Sequence, residues 1–153
     1  MPRTAGLFPR VPLTGLDGHE RRVEAGGERP SLVLLGHSDC RTTREALPLV
    51  DKIHRRGRGT VTAVLQDDAA AARDLVATLG LAVPVLLEAD PYPLAAALDV
   101  ATVPTLFVLT PESGIEAVSE GLRRADIEAF AERLGVDGPL LGPEDTVPVL
   151  RPG

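Results

Sequence analysis

The residues best suited to chemistry lie in one stretch, from Leu35 to Pro48, around the only cysteine of the chain. Cys40 falls where a predicted buried strand has ended and the next helix is predicted to begin. Backbone N–H groups of a first helical turn, together with the helix dipole, stabilise a thiolate. The position therefore predicts a nucleophilic sulfur. The alternative is a small apolar residue that fills the junction between strand and helix.

Three neighbours could assist Cys40. Thr43 lies one helical turn further on, and its hydroxyl could donate a hydrogen bond to the sulfur. Arg44 would add positive potential, whereas Asp39 opposes it. His37 could hold the thiolate as an imidazolium or carry a proton, although a histidine on a surface loop is the simpler interpretation.

Alternating strands and helices are predicted to position these residues. Short apolar runs predict buried strands at residues 31–36, 60–65 and 83–87, and a hairpin follows at 105–109 and 115–118. Helical spacing predicts helices from residue 40 onwards and at 69–79, 93–98 and 125–134. Two edge strands are predicted around the Asp17-Gly18 turn. This order predicts an α/β fold, with a central mixed sheet flanked by helices on both faces.

The chain is predicted to form one domain over residues 11–135. Residues 1–10 are interpreted as an N-terminal extension, and residues 136–153 as an extended tail, rich in Pro and Gly, that lies on the body or on a partner. The length of 153 residues suits a single core of that size.

Composition limits the classes of function. With 16 basic and 22 acidic residues the net charge is −6, which argues against nucleic-acid binding. One cysteine permits no intramolecular disulfide and no zinc site built from several cysteines. No apolar run is long enough to cross a bilayer. We expect a cytoplasmic monomer or homodimer, without metal, cofactor or membrane partner.

Two motifs together resemble the thioredoxin-like superfamily, and most closely its TlpA-like and AhpC/TSA-related branch. In that pattern a strand leads to Cys-x-x-Cys-Arg, and a proline follows in the same helix; Cys40, Arg44 and Pro48 match it in register. Val103-Pro104-Thr105 resembles the loop whose cis-proline faces the active-site cysteine. The two motifs lie further apart than in plain thioredoxin, which fits the extra strand–helix unit of TlpA-like proteins, here at about residues 68–87.

Departures from the family pattern restrict what the resemblance implies. Thr43 replaces the second cysteine, so the chain cannot resolve a mixed disulfide internally, and a standard two-cysteine reductase is excluded. Asp39 stands where the family has tryptophan, and Leu34 where thioredoxins bury an acid. His37 takes the place of the hydroxyl residue that peroxiredoxins require, and Val33 that of their upstream proline, which argues against fast peroxidase chemistry.

The resemblance implies a monothiol thiol-disulfide oxidoreductase. Cys40 would attack a mixed disulfide and await an external thiol, while Val103, Pro104 and Thr105 offer strand-like hydrogen bonds to the substrate. The partner would be a disulfide-containing protein or a low-molecular-weight thiol. The alternatives are a non-catalytic binding or redox-sensing module and, as a weaker alternative, a one-cysteine peroxidase.

Overall fold

A seven-stranded mixed sheet, four helices and a separate two-stranded ladder make up the computed structural model, which describes residues 1–25 and 27–153. The strands are β1 (Leu13–Gly15), β2 (Glu20–Arg21), β3 (Ser31–Gly36), β4 (Thr60–Leu65), β5 (Val85–Leu87), β6 (Thr105–Leu109), β7 (Ile115–Glu120), β8 (Leu122–Arg123) and β9 (Leu150–Arg151). The helices are α1 (Arg41–Arg56), α2 (Ala69–Leu79), α3 (Pro93–Ala97) and α4 (Arg124–Arg133).

The order of strands in the sheet brings three strand ends to one edge. The order is β2-β1-β5-β4-β3-β6-β7, and β8 pairs with β9 outside it. Strands β3, β4 and β5 run parallel, because α1 and α2 cross over between them. Their carboxyl ends therefore share an edge, and the antiparallel strand β6 begins at that same edge beside β3.

Both faces of the sheet are covered, as the continuous apolar runs of β3 and β4 predict. Side chains alternate along β3, so that Leu32 and Leu34 pack with α1, α2 and α4, whereas Val33 and Leu35 pack with α3 on the opposite face. All six residues of β3 are buried. The predicted mixed sheet with helices on both faces is confirmed.

Several element boundaries differ from the sequence prediction. The third buried strand begins at Val85, after Pro84, because proline cannot donate a ladder hydrogen bond. The pair β8–β9 was not predicted, and β9 lies in residues 136–153. In that segment Val136, Leu140 and Val147 are buried in the main core, so it packs on the body of the protein. Among the described residues, no helix is both long and apolar enough to span a membrane.

Candidate functional site

Cys40 occupies the N-cap position of α1, between the end of β3 and the first helical turn. Its backbone is extended (φ −86°, ψ 117°), and its N–H donates to the His37 carbonyl at 3.0 Å, which closes the loop between strand and helix. The Cys40 side chain makes no capping hydrogen bond, and the first turn of α1 carries no acidic residue. The helix therefore presents its N-terminal dipole to the sulfur without a competing carboxylate in that turn.

The sulfur lies against the loop that precedes β6. Cys40 Sγ is 3.4 Å from the Val103 carbonyl oxygen, to which the thiol donates, and the Val103–Pro104 peptide bond is cis. Pairing of Leu35 with Thr105 explains this proximity, since it places the start of β6 beside the end of β3. The two motifs singled out in the sequence, 63 residues apart at these atoms, form one site.

Thr43 packs under the loop between β3 and α1 and hydrogen-bonds to it. Its side chain is fully buried, and Oγ1 accepts a hydrogen bond from the His37 N–H at 3.4 Å. A Cβ at Gly36 would lie 2.5 Å from Thr43 Cγ2, so only glycine fits beneath this side chain. Thr43 Oγ1 makes no hydrogen bond to Cys40 Sγ within the residues that the structure describes, so the hydroxyl positions the loop.

His37 stands beside two carboxylates. Its Nδ1 accepts a hydrogen bond from the Asp39 N–H at 3.0 Å and lies 3.8 Å from a carboxylate oxygen of both Asp39 and Asp67. The imidazole is 31% exposed. In a neutral imidazole whose Nδ1 accepts this hydrogen bond, the ring proton is on Nε2. His37 therefore presents Nε2 as the nitrogen free to exchange protons with a ligand.

Arg44 binds the loop and is itself exposed. Its Nε donates to the Ser38 carbonyl, which ties the first turn of α1 to the segment before Cys40. The guanidinium contributes positive charge at the surface of the site. On the same helix face, Arg41 pairs with Glu45 at 3.1 Å, which partly neutralises the second arginine.

Asp67 is the residue that the sequence analysis missed. It follows β4, its side chain is only 2% exposed, and its carboxylate accepts hydrogen bonds from both the N–H (3.0 Å) and the hydroxyl of Ser38. Asp68 caps α2 by accepting from Ala71 N at 2.8 Å, so one acid of the Asp-Asp pair caps and the other anchors the loop. The sequence did contain a signal for this role of Asp67, which closely follows the predicted strand at residues 60–65. Parallel strands have their carboxyl ends at the same edge of a sheet, so a residue there lies near the end of β3.

The site is therefore a single thiol on a loop that contacts with four residues hold in place. The Ser38 side chain and N–H bind Asp67, the Ser38 carbonyl binds Arg44, the His37 N–H binds Thr43, and the sulfur binds Val103. Residues 1–25 and 27–153 contain no group of three or more His, Cys, Asp or Glu side chains that could hold a metal ion. Such an arrangement can present a nucleophilic sulfur in a fixed place.

Comparisons with known proteins find structural relatives only. No family model and no curated protein matches the chain. A putative thiol:disulfide interchange protein DsbE from Chlorobium tepidum has a TM-score of 0.73 and 20% identity, over 87% of this chain and 96% of that one. StoA from Bacillus subtilis has a TM-score of 0.64 and 16% identity, over 86% and 96%. A peroxiredoxin-like protein from Aquifex aeolicus has a TM-score of 0.65 and 12% identity, over 86% and 87%.

These likenesses show that the chain has a thioredoxin-like fold, as the Cys40 and Pro104 motifs predicted. Proteins named for disulfide interchange and a protein named peroxiredoxin-like share this fold. The fold alone therefore does not specify the reaction, which depends on the residues of the site.

Proposed function

We propose that this thioredoxin-like chain is a monothiol thiol-disulfide oxidoreductase that acts through Cys40. One observation carries the proposal: the only cysteine stands at the N-cap of α1 with its sulfur 3.4 Å from Val103 O, beside the Val103–Pro104 loop. At this position the helix dipole stabilises a thiolate, and the sulfur faces main-chain groups that can align a substrate.

The reaction is two successive exchanges. The Cys40 thiolate attacks one sulfur of a mixed disulfide R–S–S–R′, forms Cys40–S–S–R and expels R′S⁻. An external thiolate R″S⁻ then attacks this intermediate, forms R–S–S–R″ and regenerates the Cys40 thiolate. One disulfide is broken and one formed in each step, so no further oxidant or reductant is required.

Thr43 explains why the second thiol must come from outside. A cysteine at this position would lie one helical turn from Cys40, but a hydroxyl cannot attack the mixed disulfide as a thiolate does. Buried Thr43 instead holds His37 and, with Asp67 and Arg44, keeps the loop in place. His37 Nε2 is the group in the loop that could deliver a proton to the departing thiolate.

Steady-state turnover of a small mixed disulfide tests the proposal. The full chain is supplied with glutathione and the mixed disulfide of glutathione with 2-mercaptoethanol, and product is followed with a coupled reductase. We expect turnover with one kinetically competent Cys40 adduct, complete loss in Cys40→Ser, and full activity in the control Arg10→Ala, an exposed residue outside the site.

Turnover that survives in Cys40→Ser would overturn the proposal. Equal and negligible rates for the parent and Cys40→Ser would also overturn it, and would favour the alternative of a binding module built on the same groove.

A further inference from the structure

Residues 149–153, here called the covering segment, lie across the proposed substrate groove. Leu150 and Arg151 pair as β9 with β8, antiparallel. The next two residues leave the ladder and reach α1 and the Val103–Pro104 loop. The segment is thus an extended chain beside the reactive sulfur.

Two contacts fasten the covering segment to α1. The Thr42 hydroxyl donates to the Pro152 carbonyl at 2.6 Å. Arg151 Nε lies 2.5 Å from Glu45 Oε2, an ion pair in which the N–H is not aligned as a hydrogen bond. Both partners on α1 come from the two turns that follow Cys40, so the segment is bound to the helix that carries the nucleophile.

Two close backbone approaches show that the segment is fitted to this groove. A Cβ at Gly153 would collide with the Val103 carbonyl oxygen, the same oxygen that accepts from the Cys40 thiol. A Cβ at Gly121, where φ is +73°, would lie 2.6 Å from the Arg151 carbonyl oxygen. Glycine at both places allows main chain to lie directly against main chain.

Side chains of the covering segment contribute little to the core. Val149 is 81% exposed and Leu150 is 44% exposed, whereas Val147, just before the segment, is buried. The segment is therefore held by polar and main-chain contacts, and it can leave the groove without opening the apolar interior.

We propose that the covering segment is a built-in pseudosubstrate, which keeps extended polypeptides out of the groove while small disulfides still reach Cys40. This inference rests on the proposed function and names its substrate class: low-molecular-weight mixed disulfides. Half-buried Cys40 remains partly accessible with the segment in place. A polypeptide needs the Val103–Pro104 loop as its own strand partner, so it must first displace the segment.

Charge reversal in the full chain tests this without deleting any residue. Arg151→Glu and Glu45→Arg each turn the Arg151–Glu45 attraction into repulsion, and the double variant restores an opposite-charge pair. Thr42→Val independently removes the hydrogen bond to Pro152 at nearly constant volume. Arg10→Glu, at an exposed arginine outside the groove, is the matched control for the change in net charge of Arg151→Glu.

Two disulfides that release the same coloured thiolate report on access. One probe is the mixed disulfide of 5-thio-2-nitrobenzoate with 2-mercaptoethanol. The other is the mixed disulfide of 5-thio-2-nitrobenzoate with the cysteine of a ten-residue peptide. Attack by Cys40 forms a Cys40 mixed disulfide and expels 5-thio-2-nitrobenzoate, so single turnover needs no added reductant.

We expect each charge reversal to raise the peptide rate about five-fold, since the rate scales with the fraction of chains whose groove is open. Thr42→Val should raise it about three-fold. The small-probe rate should stay within about two-fold throughout, and the double variant and Arg10→Glu should behave like the parent. Peptide rates unchanged in both charge reversals and in Thr42→Val would overturn the inference while leaving the proposed function intact.

Alkylation of Cys40 keeps the two proposals separable. N-ethylmaleimide and a 5-kDa polyethylene-glycol maleimide are compared on the same variants, which needs no disulfide chemistry. If neither disulfide probe reacts, the proposed function fails. In that case, a faster reaction of the variants with the 5-kDa maleimide alone would show that the covering segment still shields Cys40 from bulky molecules. Equal increases for both maleimides, or no increase for either, would overturn the pseudosubstrate inference.

Discussion

Replacing Asp67 by Asn should loosen the loop that carries Cys40. The carboxylate is 2% exposed, and its two oxygens accept from the Ser38 N–H at 3.0 Å and from the Ser38 hydroxyl. An amide keeps one acceptor oxygen, but its NH₂ group would face a hydrogen-bond donor of Ser38 and could not accept from it. Hydrogen bonds to charged groups contribute about 1.5–3 kcal/mol, and the buried charge itself costs free energy, so we expect Asp67→Asn to lower the free energy of unfolding by about 2 kcal/mol.

Ser38→Ala separates the hydroxyl from the backbone contribution. It removes only the Ser38 Oγ bond and should lower the free energy of unfolding by about 1 kcal/mol. Because both changes remove the same Oγ–carboxylate bond, the double variant should cost less than the sum of the single variants. Asp68→Asn is the matched control, since asparagine caps helices as well as aspartate and should stay within about 0.5 kcal/mol of the parent.

Urea unfolding of the four variants and the parent gives these free energies, and the rate of Cys40 alkylation by iodoacetamide reports the loop. We expect a changed alkylation rate in Asp67→Asn under conditions where the protein stays folded, and the parent rate in Asp68→Asn. An unfolding free energy for Asp67→Asn within about 0.5 kcal/mol of the parent would refute the claim that Asp67 anchors the loop.

Three further predictions concern buried groups. Burial raises the pKa of Glu88 above 4.5, so the folded chain holds a proton that the unfolded chain releases; stability should fall as pH rises from about 4.5 through the folded pKa, and Glu88→Gln should flatten that fall in urea unfolding. Burial raises the pKa of Asp51, but the Arg55 ion pair and two backbone N–H groups outweigh it and lower the pKa below 3.8. Its carboxylate should therefore stabilise the fold above pH 3.8. As the pH falls below 3.8 the parent should lose this stability, whereas Asp51→Asn, which lacks the carboxylate, should lose less stability in acid unfolding. Gly36→Ala places a Cβ 2.5 Å from Thr43 Cγ2 and should lower the free energy of unfolding by about 1–3 kcal/mol.

Each of these predictions has its own contrary result. Identical pH profiles for the parent and Glu88→Gln would mean that Glu88 ionises alike in both states. A parent-like acid transition in Asp51→Asn would show that the Asp51–Arg55 pair does not stabilise the folded chain. A neutral Gly36→Ala would show that Thr43 can move aside.

The strands and helices with strong patterns were predictable from the sequence alone. Strand β3 is a continuous apolar run and α2 has a cap at Asp68 and a left-handed Gly80 at its end, so local chemistry specifies both. The resemblance of Val103-Pro104-Thr105 to the cis-proline loop of thioredoxin-like proteins likewise indicated which loop would face Cys40. These features depend on residues that are near each other in the sequence or on a pattern shared with a known fold.

The remaining features depend on contacts between distant residues, which no local pattern encodes. Strand β9 is two residues long and exists only because β8 lies beside it. The Asp67-Asp68 pair before α2 is typical of a helix cap, and only the folded sheet places Ser38 within hydrogen-bond distance of Asp67. Thr43 has the position of a second active-site residue, but the close approach of Gly36 directs its side chain under the loop.

Mass spectrometry of the intact chain after reaction with one mixed disulfide tests the central claim most directly. We expect one adduct, on Cys40, that persists until glutathione is added and is then lost, with no adduct on Cys40→Ser. If the folded chain stays unmodified while the urea-unfolded chain reacts at Cys40, the cysteine is inert packing and the proposed reaction is contradicted.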